Sequence, residues 1–293
     1  MHIVKNRKIF FAISLLIIIP SIVSFLYQGL NLGIDFTGGT SLNLKFEQKV
    51  SDGQVREVLD DFGIGNKSII QAGGDNLMLL KTVPLEQKKR DAILEKMNNK
   101  LGKVKVTDED TVGSVIGSEL TEKALLALGI ASVLMVIYIT FRFEFFFGIA
   151  AILALMHDVV VVVGVFSIFQ WDVDLTFVAA ILTIIGYSIN DTIVIFDRIR
   201  ENLKFKKKEE SLEDLVNKSI LQTITRSINT VLTVLFVLIA MYFFGGETIE
   251  NFTVAMLIGI VTGMYSSIFT ASPIWLELKN WQNRRQRAAK MAQ

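Results

Sequence analysis

The run LTFVAAILTIIGYSINDTIVIF, Leu175 to Phe196, contains no lysine or arginine, and its only ionisable side chains are Tyr187 and Asp191. A stretch of roughly 18 or more apolar residues is long enough to cross about 30 Å of hydrocarbon as a helix. Runs of the same kind lie at about Ile9–Tyr27, Ala124–Phe141, Phe145–Gln170, Thr223–Phe244 and Phe252–Leu276. The sequence therefore predicts an α-helical polytopic membrane protein with six transmembrane helices. The 293 residues are 51% hydrophobic, while 30 Lys+Arg against 29 Asp+Glu leave a net charge of +1. Such a balance gives no sign of a nucleic-acid partner. With no cysteine, a disulfide framework, a Cys-ligated zinc and a cysteine nucleophile are all excluded, and with only His2 and His157 so is a multi-His metal centre.

The first run follows Lys5, Arg7 and Lys8, as a signal peptide would. It is longer than a usual signal h-region and no A-x-A-like site follows, so it reads as an uncleaved span at 9–27. Basic residues near helix ends mark the cytoplasmic side. They occupy the N-terminus 1–8, the turn at Arg142, the segment 197–222 (Arg198, Arg200, Lys204, Lys206, Lys207, Lys208, Lys218) with Arg226 just beyond, and the tail 277–293 (Lys279, Arg284, Arg285, Arg287, Lys290). The opposite loops, Trp171–Asp174 and Gly245–Asn251, hold only Asp172, Asp174, Glu247 and Glu250 as charged residues. Both termini are expected in the cytoplasm, with 28–123 as a large extracytoplasmic loop and 124–276 as a five-helix remainder of the bundle. Trp171, Trp275 and Trp281 fall near helix ends, where an indole anchors at the headgroups.

Segment 28–123 has soluble composition. Ser41–Phe46 alternates as a strand after Gly38-Gly39, and Ser51 caps a helix with Val55, Val58, Leu59 and Phe62 on one face. Lys67–Ala72 and Leu77–Thr82 read as a hairpin about Gly73-Gly74-Asp75-Asn76. Pro84 sits near the start of a helix ending at about Leu101, and Val104–Thr107 gives a last strand. The order β-α-β-β-α-β predicts an α+β ferredoxin-like domain acting as a binding or spacer module. Gly113, Gly117 and Ser118 read either as a hinge or as ordinary small residues at a helix start.

Ionisable groups within spans are costly and usually face a bundle interior or a water path. His157-Asp158 lies near the middle of the third span, about 20 Å from its start. Asp191 lies six residues before Asp197, about 9 Å inside the boundary, on the face of Tyr187 and beside Asn190, Gly186 and Thr183. Arg226 opens the fifth span at similar depth. Each has a structural reading too: Arg226 as a snorkelling residue, Asp191 as a permanent partner of Arg226, His157 as a neutral hydrogen-bonding group. Against these stands a titratable relay, since burial and a nearby guanidinium act on a carboxylate's proton affinity in opposite senses. Gly259, Gly263 and Ser267 recur at four-residue spacing, which permits close helix approach. Leu212, Leu215, Val216, Ser219 and Ile220 in the basic segment have amphipathic spacing that predicts a helix on the membrane surface.

Three stretches resemble the SecF branch of the SecD/SecF family of protein-export membrane proteins. They are Gly33-Ile-Asp35-Phe-Thr-Gly38-Gly39, Met156-His157-Asp158, and the fourth-span run from Gly186 through Asn190-Asp191 to Asn202. The first alone fits either branch, but the loop here is too short for the larger SecD domain. The resemblance covers nearly the whole chain. It implies an accessory subunit of the Sec machinery, not an enzyme and without a cofactor, in the bacterial inner membrane. It also implies pairing with SecD, association with the SecYEG channel and YajC, action on preproteins, and half of a resistance-nodulation-division-like bundle driven by protons or sodium. It makes Asp191 the ion-linked carboxylate and Arg226 its basic partner, with His157, Asp158 and Asn190 lining the same region. Gly33, Asp35, Gly38 and Gly39 would shape the junction after the first helix. The alternative is a half-size exporter of small molecules or lipids. A membrane hydrolase finds no support, because the sequence has no G-x-x-x-x-G-K-[ST] and no Ser/His/Asp set.

Overall fold

A bilayer offers no water to unpaired backbone groups, so an apolar run there closes its hydrogen bonds within itself as a helix. The computed structural model, which describes residues 2–72, 76–246 and 249–291, follows that rule. Among the described residues, six helical segments are long and apolar enough to cross a membrane: Val4–Gln28, Ser114–Arg142, Phe145–Phe169, Leu175–Lys204, Leu212–Phe244 and Glu250–Gln286. All six coincide with the predicted spans. The elements in order are α1 (Arg7–Gln28), β1 (Asn31–Leu32), α2 (Ile34–Thr37), β2 (Gly39–Phe46), α3 (Asp52–Asp60), β3 (Ile69–Ala72), β4 (Leu77–Thr82), α4 (Gln87–Leu101), β5 (Val104–Val112), α5 (Ser114–Arg142), α6 (Phe145–Phe169), β6 (Asp172–Val173), α7 (Leu175–Lys204), α8 (Leu212–Phe244), α9 (Glu250–Ser266) and α10 (Ser272–Met291). A π-helical turn, Ser267–Ala271, joins the last two. The chain divides into two units, one formed by residues up to Asn31 and from Ala127 onward, the other by Leu32–Leu126.

In the second unit, β2 is central. It pairs antiparallel with β4 (Leu42 opposite Leu80) and with β5 (Gly39 opposite Val112, Phe46 opposite Val104), giving the strand order β3-β4-β2-β5. β5 is longer than the predicted Val104–Thr107, because β2 continues to pair with it beyond a bulge at Asn43/Leu44. Leu42, Leu44, Val55, Val58, Leu59, Leu80, Ile93 and Met97 fill the core. Ser51 sits at the start of α3, as expected, and there forms a capping box with Gln54. Pro84 precedes α4 by three residues instead of entering its first turn. Of the predicted hairpin turn, Gly73, Gly74 and Asp75 lie outside the described residues, as do Glu247 and the side chains of Arg287 and Lys290.

In the first unit, α6, α7 and the last span are half buried and form the centre, whereas α1, α5 and α8 turn large apolar side chains such as Leu16, Leu134 and Phe236 outward. At one end, Phe147 stacks on Trp275 (4.4 Å) and packs against Phe196 (4.8 Å), and Arg7, Arg142 and Arg200 pair with Glu277 and Asp197. Trp275 is therefore a core residue and not a headgroup anchor: it lies 1% exposed, where it fills a gap between helices that its bulk suits. The predicted surface helix in 197–222 is also corrected. α7 runs on to Lys204 and α8 starts at Leu212, capped by Ser211, so that Leu215, Val216, Ser219 and Ile220 are buried in the bundle core. The amphipathic stripe faces protein, because the two helices extend beyond their apolar spans and keep packing.

The small residues of the last span do what their spacing suggests. A Cβ on Gly259 would meet Ile184 at 2.3 Å, one on Gly263 would meet Ser188 at 3.1 Å, and Ser267 Oγ lies 2.8 Å from Thr192 Oγ1. Successive partners advance together by four residues, so α7 and the last span run parallel along one seam. Gly259→Ala should lower the stability of the detergent-solubilised chain by about 1–3 kcal/mol. Gly186→Ala, which faces open space, should leave it unchanged or raise it by up to about 1 kcal/mol; thermal unfolding of both variants checks this.

Candidate functional site

The seam between α7 and the last span holds the most buried carboxylate. Asp158, on α6, is wholly buried; its Oδ2 accepts from Ser188 Oγ at 2.5 Å and Ser266 Oγ at 2.8 Å. Its Oδ1 lies 3.0 Å from His157 Nδ1, and the imidazole rests on the Tyr265 ring at 6.0 Å. The cluster continues into the π turn, where Ser267 meets Thr192, and toward α1, where Ser14 reaches Tyr265 (3.4 Å) and Thr270 (3.5 Å). Both donors to Asp158 from other helices are small, buried hydroxyl residues, and Ser188 Cβ lies 3.1 Å from where a Cβ on Gly263 would sit.

Asp191 lies three residues beyond Ser188 on α7 and is 4% exposed. Its Oδ2 is buried without a hydrogen-bond partner, and Ser227 Oγ on α8 is in the same condition. Arg226 is near enough for its charge to act on Asp191, yet the two form no ion pair. The direct pair considered from sequence is thereby corrected: Arg226 is exposed on α8 and lines a cavity of about 440 Å3 together with Asn190, Asp197, Glu201 and Gln222. Asn190 and Arg226 are brought together there. His157 and Asp158 are not part of this cavity, which corrects the expectation of a single shared region. The cause is helical geometry: Asn190 and Asp191 are about 100° apart around α7, so one faces the groove and the other the bundle. Tyr187, one turn before Asp191, donates its hydroxyl to the Thr230 carbonyl at 3.0 Å and ties α7 to α8.

The glycine motif forms a separate joint within the second unit. Gly33 caps α2, and its carbonyl accepts from Phe36 N (3.1 Å), Thr37 N (3.2 Å) and Thr37 Oγ1 (3.1 Å). Asp35 stands in the first turn of this short helix. Gly38 has φ +69°, and a Cβ there would lie 2.7 Å from the Ser114 backbone. Gly39 has φ +148°, and its Cβ would strike the Thr82 carbonyl at 2.5 Å. Gly117 completes the contact, because a Cβ on it would meet Gly38 N at 2.9 Å. The start of α5 thus crosses the Gly38-Gly39 backbone at a distance only glycine permits on both sides.

The Protein export membrane protein SecD/SecF C-terminal model matches residues 93–281, more than half of the chain, and the SecD/SecF GG motif model matches 23–50. The chain belongs to the SecD/SecF family. A Sebaldella termitidis protein called Protein translocase subunit SecF is 42% identical over 96% of this chain and 93% of its own. The Acidaminococcus fermentans protein of the same name is 46% identical over 94% of this chain and 96% of its own. The Bacillus subtilis Protein translocase subunit SecDF is 41% identical over 94% of this chain, which spans 38% of that longer protein. The crystal structure of SecDF from Thermus thermophilus, described as a translocon-associated membrane protein, superposes with a TM-score of 0.87. That match, at 36% identity, covers 96% of this chain and 39% of that one.

Sequence reasoning missed three members of these sites. Ser188 and Ser266 carry no signal beyond being hydroxyls near the small-residue stripe, and Gly117 reads as a small residue at a helix start until its partner Gly38 is known. Removing one hydroxyl donor from a wholly buried carboxylate leaves part of its charge unsatisfied. Ser266→Ala should therefore cost about 1–3 kcal/mol in thermal unfolding. Ser132→Ala, at an exposed hydroxyl that bonds only within its own helix, should change stability by under about 0.5 kcal/mol.

Proposed function

We propose that this chain is the SecF-type subunit of the Sec translocase accessory complex, a non-enzymatic membrane protein that couples an ion gradient to preprotein translocation and release. The observation that carries the reading is the buried, unpartnered Asp191 oxygen beside a groove lined by Asn190 and Arg226. A carboxylate there is neither locked in an ion pair nor exposed to bulk water, which is the condition for a group that takes up and releases an ion. Moving one charge across about 100 mV supplies roughly 2.3 kcal/mol, and each pH unit adds about 1.4 kcal/mol per proton. Either a proton or a sodium ion would serve.

The length relation supports a partner. A chain of this size aligns with under half of the fused SecDF proteins, so the remainder of the bundle would come from a separate SecD subunit. Association with SecYEG and YajC in the bacterial inner membrane follows from the same family reading, as do a bilayer-embedded bundle and preprotein substrates. The basic ends gathered around Arg7, Arg142 and Arg200 support a reading with cytoplasmic termini, in which the second unit would lie outside the cytoplasm. Its β-α-β-β-α-β order with strands β3-β4-β2-β5 supports a ferredoxin-like domain. The relatives' names favour translocation over the export of small molecules or lipids.

Asp191→Asn should abolish the stimulation of preprotein release from membrane vesicles while leaving insertion and SecD association intact. Full release with this variant would end the assignment. Because Arg226 acts as a charge at a distance and not through a fixed bidentate pair, Arg226→Lys should retain most of the stimulation that Arg226→Ala loses.

A further inference from the structure

Most arginines near the bundle's basic end already have acidic partners. Arg7 pairs with Glu213 and Glu277, Arg142 and Arg200 with Asp197, and Arg198 with Glu201. The far end of α10 differs: residues 278–293 hold Lys279, Arg284, Arg285, Arg287 and Lys290 and no Asp or Glu. Arg284 and Arg285 are exposed, and among the described residues neither forms an ion pair. Arg285 instead lies over the Trp281 ring, its guanidinium carbon 4.4 Å from the centroid, and that indole is itself 50% exposed. Stacking occupies the face of a guanidinium and leaves its N–H edges open, in the planar fork that matches a phosphate.

The depth of this pair follows from its neighbours. Glu277 meets Arg7, which stands two residues before the apolar run that begins at Ile9, so the two mark the edge of the hydrocarbon. Trp281 comes four residues later, about 6 Å further along the helix. The headgroup layer is about 5–7 Å thick on either side of the hydrocarbon. Helical side chains lean toward the N-terminus of their helix, and the Arg285 guanidinium accordingly returns to the level of Trp281. Its charge thus lies at the depth of lipid phosphates. Leu278, three residues before Trp281 on the same face and only partly buried, continues that face toward the acyl chains.

We propose that Trp281, Arg284 and Arg285 form a binding site for the headgroup of an anionic phospholipid. Arg285 takes the phosphate on its open edge, the indole holds the guanidinium in place, and Arg284, on the other flank of Trp281, supplies a second cation. A zwitterionic lipid presents the same phosphate, but its own ammonium offsets the charge that two unpaired arginines attract. A nucleic acid fits the position less well, because its phosphates would have to enter the headgroup layer. The site ties the end of α10 to one leaflet. It rests on the reading of α10 as the end of a membrane span, and it is independent of the role given to Asp191.

Native mass spectrometry of the full chain, titrated in detergent with phosphatidylglycerol, tests the site. One phosphatidylglycerol should be retained more tightly than the rest, and Arg284→Gln combined with Arg285→Gln should weaken its binding by about tenfold or more. Trp281→Phe should keep most of the affinity, while Trp281→Ala should lose about threefold. Thermal unfolding of these variants should match that of the parent chain, since all three side chains are exposed. Lys206→Gln, Lys207→Gln and Lys208→Gln together remove more charge from the exposed connection between α7 and α8, and should leave the tight lipid in place. Equal retention of phosphatidylcholine would overturn the proposal, as would an equal loss from the triple lysine variant, which would mean a diffuse charge effect. Displacement of the lipid by inorganic phosphate or by a short RNA at equal concentration would also overturn it, in favour of a soluble anion. The measurement needs neither an ion gradient nor a translocation partner, so it can fail while the Asp191 reading stands, and the reverse.

Discussion

The bundle depends on how closely α7 and the last span can approach. Gly259 against Ile184, Gly263 against Ser188, and Ser267 against Thr192 form a parallel seam with little side-chain volume between the backbones. In a membrane there is no hydrophobic gain from joining two apolar helices, because lipid tails are as apolar as leucine; close van der Waals contact and hydrogen bonds must supply the association. The seam supplies both, and the second unlocks a further possibility. Only because α7 and α9 are this close can their hydroxyls, Ser188 and Ser266, converge on a single carboxylate from a third helix. Asp158 is thus a consequence of the glycines.

The seam also explains why the ionisable groups divide into two environments. α7 carries Ser188, Asp191, Thr192 and Ile195 on its buried face, and Asn190, Val194 and Asp197 toward the groove. The buried face is saturated around Ser188 and Thr192, where the last span provides partners. At Asp191 that supply runs out, and one carboxylate oxygen is left unmatched. An unmatched charge is costly to keep in such a place. It lies one turn from Ser188, whose hydroxyl is spent on Asp158, so the α7 face changes from matched to unmatched within four residues.

Much of the bundle was legible from sequence, because the bilayer writes its demand on every residue of a span: a single lysine would interrupt the run, and none does between Leu175 and Phe196. The four-residue stripe at Gly259, Gly263 and Ser267 was legible for the same local reason. What could not be read were relations between distant segments. Trp275 looks like an interfacial anchor until Phe147 is found beneath it, and Leu215 and Val216 look like a membrane-surface face until the extended α7 covers them. Asp191 and Arg226 match in depth, which sequence spacing gives, but not in direction, which depends on how α7 and α8 are rotated. The π turn left no signature, since the residues Ser267–Ala271 would also suit an α-helix.

The second unit obeys a different constraint. β2 and β5 are neighbours, with Gly39 opposite Val112, so the residues that enter and leave the unit lie side by side. Gly38 with φ +69° and Gly117 in α5 then fix that place through backbone contact, where no side chain can rotate to absorb a displacement. A joint made of side chains is compliant, because rotamers exchange at little cost; one made of two backbones in contact moves as a unit or not at all. This makes the glycines more than turn formers. They hold the Gly38-Gly39 backbone directly against the start of α5 within the unit.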